Sequence, residues 1–143
     1  MTIVSSGHVA DDIDEQIEEL KKLAETGTDA FCQTLLQSLK DGGSGYCGIM
    51  CNFHPKLYNW LCDNFDKEPE KAERLQAMLG TVGFTEGGLP YPLTAKYHMN
   101  LVGIPTENVA RNRKAEEMTD YAKDCMAQMK LLSDFFEKEY GLV

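Results

Sequence analysis

The sequence predicts a single helix-rich α/β domain with about two strands and five to six helices, and three observations carry that prediction. Apolar residues recur at steps of three and four over most of the chain, from Ile13, Ile17 and Leu20 to Met118, Ala122 and Cys125. Only two short runs, residues 2–6 and 46–53, have the β-branched or unbroken apolar character of strands. The chain has 143 residues, 43% of them hydrophobic and 26% charged, which suits one folded domain and neither a disordered polymer nor a second full domain.

The elements follow in order. Thr2-Ile3-Val4-Ser5-Ser6 is broken by Gly7, which predicts a strand ending in a loop. Asp11 or Asp12 can cap the helix that follows, with Ile13, Ile17, Leu20, Leu23 and Ala24 on one face and Thr26-Gly27 at its end. Asp29-Ala30-Phe31-Cys32 suits either a second strand or the start of a helix. Phe31, Leu35, Leu36 and Leu39 share one helical face and no turn residue separates them, so one helix from Asp29 to Lys40 is the better reading. Asp41-Gly42-Gly43-Ser44-Gly45 closes it, and the apolar run over 46–53 then predicts a strand buried on both faces.

Pro55 opens the next helix, with Leu57, Tyr58, Leu61, Cys62 and Phe65 turned inward. A helix over 67–82 carries Ala72, Leu75, Met78 and Leu79, and Gly87-Gly88-Leu89-Pro90 reads as a turn. Residues 93–102 form a further helix, stopped by Gly103 and Pro105. The last and longest helix spans 106–139, where Met118, Ala122, Cys125, Met129, Leu132 and Phe136 make a near-heptad stripe. Packing on its own chain explains the stripe more simply than a coiled coil does, because the flanks lack a clean charge code.

Composition narrows the function classes. The formal charge of -9 repels phosphate backbones and anionic lipid surfaces, so nucleic acid and membranes are not expected partners. No apolar run approaches the length of a membrane span, and no signal-peptide pattern opens the chain, which points to the cytoplasm. Five cysteines, an odd number set mostly in apolar runs, read as reduced thiols. Cys47, Cys51 and His54 come nearest to a metal pattern, but a fourth ligand and the paired spacing of a zinc knuckle are missing, so neither a metal nor a cofactor is expected.

Other candidates are weaker still. His8 follows a strand and a glycine without a nucleophile or acid at useful spacing, and His98 lies in a helical pattern where it packs or faces water. The Gly42-Gly43-Ser44-Gly45 loop precedes a predicted strand, whereas a phosphate cradle follows one and opens a helix. The acidic pairs Asp11-Asp12, Glu18-Glu19 and Glu116-Glu117 are solvated helix faces, since adjacent residues diverge around a helix. No catalytic residue is expected from these patterns.

Two stretches resemble one family. Residues 39–55, Leu-Lys-Asp-Gly-Gly-Ser-Gly-Tyr-Cys-Gly-Ile-Met-Cys-Asn-Phe-His-Pro, are similar to the eighth strand of the dihydrodipicolinate synthase and N-acetylneuraminate lyase family, pyruvate-handling class I aldolases built on a (β/α)8 barrel. Leu89-Pro90-Tyr91-Pro92-Leu93-Thr94-Ala95-Lys96 and Leu101-Val102-Gly103-Ile104 resemble a later helix of the same family. Ile3-Val4-Ser5-Ser6-Gly7-His8-Val9 and Ala24-Glu25-Thr26-Gly27-Thr28-Asp29-Ala30-Phe31 are similar to its third strand and helix. The two pieces meet near Cys32 and Gln33, where the family has its fourth to seventh strands.

The resemblance implies a partial, rearranged (β/α)8 barrel remnant, with 1–31 as a third βα unit and 32–143 as the C-terminal strand and helical segment. A whole barrel needs about 250 residues. In the family a lysine ending the sixth strand forms the Schiff base with pyruvate and a tyrosine ending the fifth relays protons, and neither segment has a counterpart here. Lys40, Lys56 and Lys96 match no catalytic position, while Cys47 and Gly48 match pocket-wall positions of the eighth strand. The expectation is a truncated family member without Schiff-base lyase activity. The alternatives are a lyase completed by another polypeptide and a helical interaction module. Strands stripped of their neighbours, together with the C-terminal stripe, further imply a homo-oligomer.

Overall fold

The structure, a computed structural model, describes residues 29–143, with side chains of the first helix from residue 35 onward. The strand expected over 2–6, the helix after it and His8 lie outside the described residues. Five α-helices carry the fold: α1 Asp29–Lys40, α2 Pro55–Asn64, α3 Pro69–Gly88, α4 Leu93–Leu101 and α5 Asp120–Glu139. Short 3-10 helices occupy Ile49–Asn52 and Ala115–Glu117. Helices α1 and α3 pack as one pair and α4 and α5 as another, and α2 touches α1, α3 and α5, tying the pairs together. No helix among the described residues is long and apolar enough to cross a membrane.

The described residues contain no strand, so the expected barrel remnant with strands is not seen among them. The clearest correction falls on residues 46–53. A strand buried on both faces would bury consecutive residues, yet Cys47 and Ile49 are exposed while Met50 and Phe53, three apart, are buried. The backbone closes its own hydrogen bonds instead, from Cys51 N to the Gly48 carbonyl at 3.2 Å and from Phe53 N to the Met50 carbonyl at 3.0 Å. Without a neighbouring ladder, local 3-10 bonds are the available way to satisfy those amides. Residues 46–53 therefore present no strand edge.

Helix α1 ends where the glycines dictate. Gly42 has φ +99°, its amide bonds the Leu39 carbonyl at 3.1 Å, and the Gly43 amide reaches back to the Ser38 carbonyl at 2.8 Å. That is a Schellman motif, whose left-handed residue favours glycine. Pro55 and Pro69 open α2 and α3 at positions where a missing N–H is harmless. Helix α3 runs past the expected stop at 82, through Gly83 to Gly88, because Val82 and Glu86 are both buried and hold its last turns in place. The glycine cost of roughly 1 kcal/mol each is overridden by packing.

The long final helix is shorter than the periodicity suggests. Residues 102–114 contain no helix, Gly103 has φ +86°, and the Asn100 side chain clamps Thr106 by donating to its carbonyl at 2.7 Å and accepting from its amide at 3.0 Å. Helix α5 begins after Thr119, whose hydroxyl caps it by accepting from the Ala122 amide at 3.2 Å. Leu35, Leu57, Leu61, Leu75, Leu79, Leu93 and Met126 fill the core without exposed surface. At one end Trp60 meets Tyr140 edge-on at 4.4 Å, and the Tyr140 hydroxyl donates to the Lys71 carbonyl at 2.7 Å.

Candidate functional site

Four helices each bring one polar side chain to a common point inside this apolar core. His54 sits just before α2, Glu86 in the last turn of α3, His98 on α4 and Ser133 on α5; none exposes more than 4% of its surface. His54 Nε2 lies 2.6 Å from Glu86 Oε1, and His54 Nδ1 lies 3.1 Å from Ser133 Oγ. The His98 ring stands edge-on to His54 at 5.7 Å and to Phe53 at 5.6 Å. This hub joins the two helix pairs.

Its electrostatics follow from burial. Removal from water pushes the Glu86 carboxyl up from the ordinary carboxylate range, and the bond and charge of His54 pull it partly back. Burial, reinforced by the charge of His54, takes His98 down to about 4, so its imidazole is neutral at pH 7. Glu86 Oε2 and His98 Nδ1 find no hydrogen-bond partner among the described residues.

Serine, histidine and carboxylate in contact invite comparison with a hydrolytic triad, but the surroundings do not complete one. Ser133 stands in the middle of α5, where backbone amides are spent on the helix, so a developing oxyanion would meet no pair of free N–H groups. The hub therefore suits a structural polar network, deeply buried and linking four elements.

The other sequence candidates lie elsewhere. Cys47 is exposed and Gly48 half-buried on the link into the first 3-10 helix, beside Tyr46, which stacks on Tyr58 at 4.8 Å. Cys51 lines a groove between the 3-10 helix, α4 and α5, with a volume of about 620 Å³, into which His98 and Ser133 also open. Cys47, Cys51 and His54 do not gather around a point, because both ring nitrogens of His54 are committed to Glu86 and Ser133. Among the described residues no three His, Cys, Asp or Glu side chains could hold a metal ion. His98 takes the packed alternative of its two expected fates.

Four of the lysines are committed as well. Lys40 pairs with Glu73, Lys56 with Glu137 at 2.8 Å and Lys130 with Asp134 at 2.5 Å, while Lys96 donates to the Val109 carbonyl at 2.5 Å. All lie at the surface or its margin. Sequence reasoning overlooked Glu86 because it falls in a glycine-rich stretch that reads as a turn, and overlooked Ser133 because it is one step off the apolar stripe. The available signal was position: Val82 and Glu86 are spaced by four, as are Met129 and Ser133. Compared with protein-family models, curated proteins and solved structures, the chain finds no match.

Proposed function

We propose that this chain is a catalytically silent relative of the pyruvate-dependent class I aldolases, a helical protein that has parted from Schiff-base chemistry and self-associates through α5. The observation that carries the reading is the state of Lys40, Lys56, Lys96 and Lys130. A Schiff-base lysine needs an amine held in an apolar pocket away from carboxylates. Lys40, Lys56 and Lys130 each end on a carboxylate, and Lys96 ends on a backbone carbonyl. The buried polar hub offers no amine to replace them.

Self-association is supported by the outer face of α5. The expected stripe is divided by the core: Met118, Ala122 and Met129 are buried, whereas Leu132 is exposed alongside Tyr121, Leu131 and Phe135. An exposed apolar face of this kind favours a partner surface.

Incubation with pyruvate and borohydride, followed by intact mass measurement, tests the central reading. The expected result is an unchanged mass. A single reduced pyruvate adduct on a lysine would overturn it. An adduct appearing only when a second polypeptide is added would favour the complemented lyase instead.

A further inference from the structure

We propose that residues 13–24 of this chain, which lie outside the described residues, dock as a helix in the recess that Gln76, Ala77, Gly80, Thr81 and Phe84 form along α3, completing an antiparallel hairpin with α1. The hairpin is independent of the loss of lyase chemistry and of self-association through α5.

The recess is an uncovered apolar face on a core helix. Phe84 is 63% exposed, and Ala77 and Thr81 on the same face are exposed as well. Gly80 between them leaves a hollow of about 470 Å³. Its polar groups are already engaged: Gln76 Oε1 accepts from the Leu36 amide at 2.9 Å, and the Thr81 hydroxyl donates to the Ala77 carbonyl at 2.9 Å. A visitor therefore meets a ring, methyl groups and bare helix backbone, which suits another apolar face rather than a polar or ionic ligand.

The chain arrives beside this recess. Lys40 pairs with Glu73 and the Leu36 amide with Gln76, so α1 runs antiparallel to α3. Counting seven residues back from Leu36 at the helical rise, Asp29 stands about 10 Å along the pair from Gln76, level with Gly83 and next to Phe84. The residues before α1 thus meet the described fold at the Phe84 end of the recess. Glu25-Thr26-Gly27-Thr28 has the length of a connection between antiparallel helices, typically about 2–8 residues.

The segment before that connection has the face the recess lacks. Its sequence predicts a helix with Ile13, Ile17, Leu20 and Leu23 on one side and Glu15, Glu18, Glu19 and Lys22 on the other. Such a helix is about 18 Å long, enough to cover the roughly 10 Å between Ala77 and Phe84. A helix this short is marginal in water and depends on a surface for its apolar side. Turning back along α1, it brings Leu23 towards Phe84 and Ile17 towards Ala77. The exposed face of α5 belongs to the other helix pair, away from the start of α1.

The test uses the whole chain. With photoreactive benzoylphenylalanine in place of Leu20, ultraviolet light should join position 20 to the peptide 76–84, and the product should keep the mass of one chain on a denaturing gel. Hydrogen exchange read by mass spectrometry gives a second measure: amides of 13–24 should exchange at least about tenfold more slowly in the wild type than in Phe84→Asp. Ala77→Glu, at the other end of the recess, should act alike and keeps the test open if Phe84→Asp disturbs α3. Leu131→Asp on the exposed face of α5 should leave the protection unchanged. Cross-links that fall on another element or join two chains would overturn the inference, as would no cross-link at all. Equal exchange of 13–24 in the wild type and both recess variants, or protection lost in Leu131→Asp, would overturn it too.

Discussion

Replacing Glu86 by alanine should be among the most damaging single changes in this protein. Its carboxylate is the partner of His54 Nε2 at 2.6 Å, and both side chains are withdrawn from water. Removing one member of such a pair leaves the other buried without its partner, at a cost of about 3–5 kcal/mol. Domains of this size are stable by about 5–15 kcal/mol, so about a fifth or more of the total is at stake. At roughly 3 °C per kcal/mol, the melting temperature should fall by about 10 °C. Glu86→Gln keeps an acceptor for the histidine N–H and should lose only about 1 kcal/mol. The double variant His54→Leu/Glu86→Leu removes both polar groups, and the Ser133 hydroxyl can turn to the helical carbonyl one turn back. It should therefore lose less than Glu86→Ala alone. Urea denaturation followed by Trp60 fluorescence and helical circular dichroism measures all three. A loss below about 1 kcal/mol in Glu86→Ala, or a double variant less stable than Glu86→Ala, would refute the reasoning.

The same hub predicts a pH dependence. His98 titrates at about 4 in the folded chain and from 6.5 in its absence, so the unfolded chain takes up its proton first and stability falls as pH drops from 6.5 towards 4. Glu86 acts in the opposite sense, because a raised carboxyl contributes stability at low pH that is lost as pH rises through its folded value. Comparison with His98→Gln isolates the histidine: between pH 7 and pH 4.5 the stability difference should shift in favour of the variant by about 2 kcal/mol, and parallel pH profiles would count against it. Leu79→Ala, at a fully buried position of α3, should cost about 2–5 kcal/mol in the same urea titration. The double change Leu132→Ser/Phe135→Ser on the exposed face of α5 should convert an oligomer to a monomer in size-exclusion chromatography with light scattering, leaving helical content intact; a wild-type chain that is already monomeric would remove that part of the account.

Much of the helical framework was legible in the sequence. The Asp29–Lys40 helix, its glycine stop, the proline start of α2 and the span of α4 all rest on local chemistry: caps, missing amides and the step of three and four. What failed was whatever depended on distant neighbours. Residues 46–53 were apolar enough for a strand, but a strand exists only through its pairing partner, and a 3-10 turn satisfied the backbone instead. The α5 stripe showed which residues are apolar, not which side faces the core, so Met129 and Leu132 were grouped although one is buried and the other exposed. Glu86 shows the same limit more sharply. A carboxylate among glycines in an apparent turn reads as solvent-facing, and only the arrival of His54 from 32 residues away turns it into a core group.

The central claim is that this fold supports no pyruvate chemistry. Its most direct test is to supply the purified chain with a 4-hydroxy-2-oxo acid and follow pyruvate release by a coupled reduction. The account predicts a rate equal to that of buffer alone. Sustained release that scales with protein concentration and disappears when the lysines are methylated would contradict it.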